Sequence, residues 1–104
     1  MKRGEVWWAC LPKPGGRRPV LLLSRDSAYA VRTAITVAPL TRTIRDIPVE
    51  VPLGTEEGLP APCVVNLDDI ATVPKRLLEN RITALAREKM DAVADAIRFA
   101  LDLP

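Results

Sequence analysis

Four consecutive apolar residues, Val20-Leu21-Leu22-Leu23, entered through Arg17-Arg18-Pro19 and left at Ser24, restrict this chain more than any other segment. A half-buried strand alternates apolar with polar residues, whereas an unbroken apolar run of this length belongs to a strand covered on both faces. The chain must therefore supply layers on both sides of one central strand. Pro19 fixes the backbone where the run begins and cannot donate to a ladder, so Arg17 and Arg18 are expected on a loop rim outside the sheet, placed to grip a phosphate.

The flanking segments provide the neighbours that such a strand needs. Residues 4 to 10 contain Val6, Trp7, Trp8 and Ala9 and then meet Pro12 and Pro14-Gly15-Gly16, which predicts a first strand followed by a loop. Residues 33 to 38 predict a third strand ending at Pro39, with a turn or short helix over 25 to 32. Ile47, Val49, Val51 and Leu53 alternate with Pro48, Glu50 and Pro52, and two prolines on one side of an extended strand predict an edge strand there. Residues 63 to 67 and 82 to 85 read as further strands, with 54 to 62 as a loop. From Ala86 the apolar period becomes helical, with Met90, Val93, Ala94, Ile97 and Leu101 on one face. Five to seven short strands with close turns and one terminal helix suggest a small, strongly bent, partly open β-barrel. At 104 residues a single domain, 1–104, is expected.

Composition narrows the function classes. Apolar residues make up 48% and charged residues 27%, a globular balance, and no run approaches the roughly 18 residues of a membrane span. The apolar segment after Met1-Lys2-Arg3 is cut short by Pro12, so no secretory leader is expected, and the chain is placed in the cytoplasm. Cys10 and Cys63 lack metal-ligand spacing and there is no histidine to complete a zinc set, so both read as reduced, buried thiols. No metal or cofactor is called for. Net charge is only +2, but residues 1 to 52 carry nine Lys/Arg against four Asp/Glu, and residues 53 to 104 carry six against nine. Lys13, Arg17, Arg18, Arg25, Arg32, Arg42 and Arg45 fall at predicted loops and strand ends, where they can line one basic surface for an anion. Trp7 and Trp8 point to opposite faces of a strand. One is expected in the core, and the other can stack on a base or pack at a subunit interface, with Trp8 assigned to RNA binding.

Arg3-Gly4-Glu5-Val6-Trp7-Trp8, Arg17-Arg18-Pro19-Val20-Leu21-Leu22-Leu23-Ser24 and Val37-Ala38-Pro39-Leu40-Thr41, in that order, resemble the MazF/PemK family of toxin endoribonucleases. The resemblance implies an SH3-like barrel of the CcdB/MazF type with a C-terminal helix, and a homodimer. It implies cleavage of single-stranded RNA to 2′,3′-cyclic phosphate and 5′-hydroxyl ends, with Arg18 and Thr41 as the catalytic pair. It also implies a cognate, MazE-like antitoxin with an acidic C-terminal tail. Arginine suits this chemistry because its planar fork meets two phosphate oxygens and stays charged. Lys13-Pro14-Gly15-Gly16-Arg17 is shorter than the corresponding loop of many members and lacks their acid or amide. Asp68 and Asp69 read as turn-capping or arginine-holding acids rather than a metal pair. Two other readings stay open at this point: a non-catalytic SH3-like module that binds nucleic acid or peptide, and a CcdB-like topoisomerase poison, which would have no use for a phosphate pocket.

Overall fold

The computed structural model describes all 104 residues and contains seven strands, two α-helices and three single-turn 3-10 helices. The strands are β1 (Glu5–Leu11), β2 (Gly16–Leu22), β3 (Ala34–Thr41), β4 (Glu50–Leu53), β5 (Cys63–Asn66), β6 (Ala71–Pro74) and β7 (Leu78–Ala84). The α-helices are α1 (Ala28–Val31) and α2 (Arg87–Ala100). All pairings are antiparallel, in the order β4-β5-β3-β2-β1-β7, with β6 added on β3, and the sheet does not close. This is the bent, mostly β architecture with a terminal helix that the turn spacing predicts.

Val20, Leu21 and Leu22 are fully buried, as a doubly covered strand requires. Alternation divides them between two cores. Leu21 joins Val6, Ala38, Leu40 and Val65 beneath Val93 and Ala96 of α2, while Val20 and Leu22 join Ala9, Ile35, Val37 and Tyr29 on the other face. Each such side chain contributes about 1.5–3 kcal/mol by leaving water. Helix α2 begins where the helical period predicts, with Ala86 at the N-cap and no side-chain cap, so its packing on the sheet rather than its cap holds it.

Several expectations need correction. Arg17 and Arg18 lie inside β2, paired with Cys10 and Ala9 on β1, rather than on a loop rim. Pairing with β3 begins only at Val20, so residues 16–19 have an open second edge on which a proline forfeits no ladder bond. Strand β3 runs through Pro39 to Thr41 because its free edge changes partner: Ala34–Val37 pair with β6, and Leu40 and Thr41 with β5. Pro39 falls in the gap between them. Strand β4 is at the sheet edge as predicted but starts at Glu50, and Glu50 is buried rather than on the exposed polar side. Strand β6 was not foreseeable, being four residues with one buried position, and β7 extends four residues earlier than the apolar signal at Ile82. Cys10 is exposed, and so is Leu101, which follows the last helical turn. Asp68 and Asp69 hold no arginine; Asn66 caps their turn by accepting the Asp68 N–H, and Asp69 accepts from the Asn66 amide.

Candidate nucleic-acid cleavage site

The site grows from the fork where β2 and β3 part. Their register is Val20↔Pro39, Leu21↔Ala38, Leu22↔Val37; beyond Val20, β2 stays with β1 and β3 turns to β5. Arg18 on β2 and Thr41 on β3 both lie two residues past the last pair, Val20↔Pro39, on diverging strands, and alternation gives both the sheet face of that pair. The fork opens a cleft of about 80 Å³, bordered by Trp8 and Pro19 on β1 and β2, by Leu40, Thr41 and Arg42, and by the loop 59–61 with Cys63 behind. Arg18 is on the strand beside Pro19 and is not part of that lining.

Both chemical side chains are half committed to the backbone. Arg18 is partly buried and donates its Nε–H to the Gly15 carbonyl at 2.9 Å. That bond fixes the plane of the guanidinium and leaves the two Nη groups for a ligand. The Thr41 hydroxyl oxygen accepts the Thr43 N–H at 3.1 Å, so its own hydrogen is available to donate outward. Gly15 is tightly seated, since a Cβ there would come within 2.9 Å of the Leu11 Cβ. The carbonyl that steadies Arg18 therefore depends on a glycine at this position.

The tryptophans separate clearly. Trp7 is partly buried against the second core and donates its indole N–H to Glu5 Oε1 at 3.0 Å. Burial alone would push the Glu5 carboxyl up, but donors from Trp7, Lys2 and Arg81 outweigh it and hold it below its ordinary range. Trp8 faces the cleft, and the Arg17 guanidinium lies 4.2 Å from its ring centroid while Arg17 Nε also meets Glu79 Oε1 at 2.9 Å. Neither ring is fully in the core, and the β1–β7 register shifts on either side of Trp7.

The remaining basic residues are not all brought together. Arg42 lines the cleft, Arg45 follows it on the same loop, and Lys13 is exposed on the β1–β2 turn. Arg25 lies beyond the opposite end of β2 from Arg18, where its Nε donates to Ser27, so the structure does not add it to this surface. Residues 59–61 and Cys63 also border the cleft, although Gly54 to Pro62 reads in the sequence as a plain loop, because its glycines and prolines outweigh the single large apolar residue, Leu59. Burial pushes the Cys63 thiol up, Glu57 adds to this and Arg42 opposes it, so it lies in the cleft as a neutral thiol. No group of three His, Cys, Asp or Glu side chains converges anywhere in the molecule.

The molecule is a small, partly open antiparallel barrel with a terminal helix and a cleft where β2 and β3 part. Residues 2–101 match the model of the PemK-like, MazF-like toxins of type II toxin-antitoxin systems, and the chain belongs to that family. It is 40% identical over 99 residues, 94% of this chain and 95% of the other, to a Mycobacterium tuberculosis protein named "Probable endoribonuclease MazF2". Its fold is similar to the structure of the Mycobacterium tuberculosis toxin MazF-mt6, with a TM-score of 0.90, 37% identity and coverage of 96% and 98% of the two chains. A mycobacterial endoribonuclease in complex with its cognate antitoxin matches with a TM-score of 0.87 at 28% identity, covering 100% of this chain and 97% of that one. No helix is long and apolar enough to cross a membrane.

Proposed function

We propose that this chain is an endoribonuclease toxin that cuts single-stranded RNA at the β2–β3 fork, with Arg18 and Thr41 as its catalytic residues. What supports this reading is that Arg18 and Thr41 lie just past the last β2–β3 pair, on one face by strand alternation, each with one polar atom tied to backbone and further donors free. In the reaction the 2′-oxygen adjacent to the scissile phosphate attacks phosphorus and loses its proton. The bond from phosphorus to the 5′-oxygen breaks, and that oxygen takes a proton. The products are a 2′,3′-cyclic phosphate and a 5′-hydroxyl. Charge builds on the non-bridging oxygens in between, where the two Nη groups of Arg18 and the Thr41 hydroxyl can donate.

Arg42 at the cleft, Arg17 beside Trp8, and Lys13 and Arg45 nearby bind the RNA backbone, and Trp8 offers a ring to an unstacked base. The reaction needs no divalent ion, because the donor set at the fork is a cation and a neutral hydroxyl rather than the carboxylates that hold magnesium. The same basic fork suits the acidic, disordered tail of a cognate antitoxin, which would block the RNA path. Exposed Phe99, Leu101 and Leu103 at the end of α2 and the open edge of β4 supply surface for a homodimer. The toxin acts in the cytoplasm, where its RNA is.

Incubation of the purified protein with total RNA in EDTA tests this reading. New 5′-hydroxyl ends at defined sites are expected. Cleavage that requires added magnesium, or that leaves 5′-phosphates, would exclude the proposed chemistry.

A further inference from the structure

The two buried polar residues of this protein, Glu50 and Asn66, are direct ladder partners on β4 and β5. Each gathers the backbone of an adjoining loop. Asn66 caps the turn at 67–69, while Glu50 Oε1 accepts the N–H of Arg45 and of Asp46, both at 2.9 Å. Asp46 has φ of 56°, a left-handed conformation uncommon outside glycine that aspartate tolerates better than most residues. The segment between Arg42 and Ile47 has no regular secondary structure, and its side chains are exposed. Glu50 is only 8% exposed, and its second oxygen is buried without a partner. A buried carboxylate with one idle oxygen is costly, and stability alone would favour a neutral acceptor.

We infer that Glu50 is a positioning residue that clamps the Arg42–Asp46 loop and thereby aims Arg42 and Arg45 at the RNA backbone. This rests on the RNA-cleaving reading of the fork. Arg42 lines the cleft next to Thr41, so the path of this loop decides where a guanidinium stands relative to the scissile phosphate. The clamp acts through its acceptor oxygen and not through its charge. Its charge is in fact adverse, since a carboxylate below an RNA-binding loop repels phosphate.

These two contributions have opposite signs, which makes the inference testable. Binding of a labelled, random-sequence 2′-O-methyl oligonucleotide pool, which cannot be cut by 2′-hydroxyl attack, is measured against salt for Glu50→Gln, Glu50→Ala, Arg42→Ala/Arg45→Ala and the combination. Glu50→Gln keeps an acceptor and removes a charge, so it binds as tightly as the wild type or tighter. Glu50→Ala binds roughly threefold to tenfold more weakly and has a shallower salt slope, like the double arginine variant, despite having lost a negative charge. In the Glu50→Ala background the arginine substitutions add little, because their contribution is already gone.

Tighter binding by Glu50→Ala, equal defects in the Gln and Ala variants, or additive losses would each overturn the clamp. Unchanged binding by the arginine pair in the wild-type background would overturn instead the placement of RNA on this loop, and the clamp with it. Amide hydrogen exchange of the wild type supplies a measurement that does not depend on how a variant folds. The Arg45 and Asp46 amides are expected to be protected within an otherwise fast-exchanging loop, and fast exchange at both defeats the inference.

Discussion

The two ends of β3 open onto hollows of opposite character. At its start, Met1, Thr33, Ala34, Pro74, Lys75 and Arg76 border a space of about 630 Å³; at its finish, Thr41 and Arg42 border the cleft of about 80 Å³. The larger space is a joint between elements. Lys75 donates its Nζ to the Tyr29 carbonyl at 2.7 Å and its N–H to the Thr33 carbonyl at 2.8 Å, so α1, β3 and the turn after β6 are tied through it. At the fork, Thr41 at the cleft and Arg18 on β2 beside Pro19 each make one backbone hydrogen bond. The two ends thus differ in what their side chains bind: at the larger hollow a lysine ties elements together, whereas the proposed catalytic pair at the fork is held by single backbone bonds.

The sharpest way to break that contrast is at Arg18. Arg18→Ala is expected to lower the cleavage rate about 10²- to 10³-fold, with only a modest loss of RNA affinity. Arg17→Ala, one residue away with the same charge, should cost far less rate because its guanidinium is engaged with Trp8 and Glu79. Thr41→Val, which removes the hydroxyl at nearly constant volume, should behave as Arg18→Ala does. Single-turnover rates and binding to uncleavable RNA, with circular dichroism as a folding check, decide this. Equal small defects in all three would make the fork a binding surface only.

The next largest effect belongs to the other end. Lys75→Met keeps the side-chain length but removes the donor to Tyr29, and it should cost about 1–2 kcal/mol in denaturant unfolding while leaving cleavage intact. A loss of activity with full stability would show that the larger hollow takes part in RNA handling.

The smallest effect at neutral pH concerns Tyr29, whose phenol donates to the Ser24 carbonyl and whose pKa is pushed up to about 12 by burial, with Asp26 adding to it. The folded state therefore favours the protonated phenol more than the unfolded chain does. Its contribution is full below pH of about 10, the ordinary value, and is lost as pH rises toward about 12. Unfolding free energy should be insensitive to Tyr29→Phe in its slope below that window, and the variant should flatten the alkaline decline within it. An unchanged decline would place the alkaline sensitivity elsewhere.

Much of this organisation was legible in the residues themselves. Val20–Leu23 announced a doubly covered strand because burial on two faces leaves no place for a polar residue, and the period change at Ala86 announced α2 because only a helix repeats at that spacing. The pairing of Arg18 with Thr41 entered through family resemblance and the order of motifs, since neither residue has a local signal that distinguishes it from a surface arginine or a turn threonine. Nothing local marks Glu50 for burial, since it alternates with apolar residues on an edge strand, and nothing marks the Leu59–Ala61 side of the cleft, which sits between turn residues.

Local pattern, then, determined which segments are strands and which faces are apolar, because that information is carried by residues close in the chain. Tertiary structure alone decided where β2 and β3 separate, which edge β3 gives to β6 and which to β5, and that a loop folds back to bury a carboxylate. Those are contacts between residues far apart in sequence. They follow from how a bent sheet shares its edges, a competition among strands that no single segment encodes.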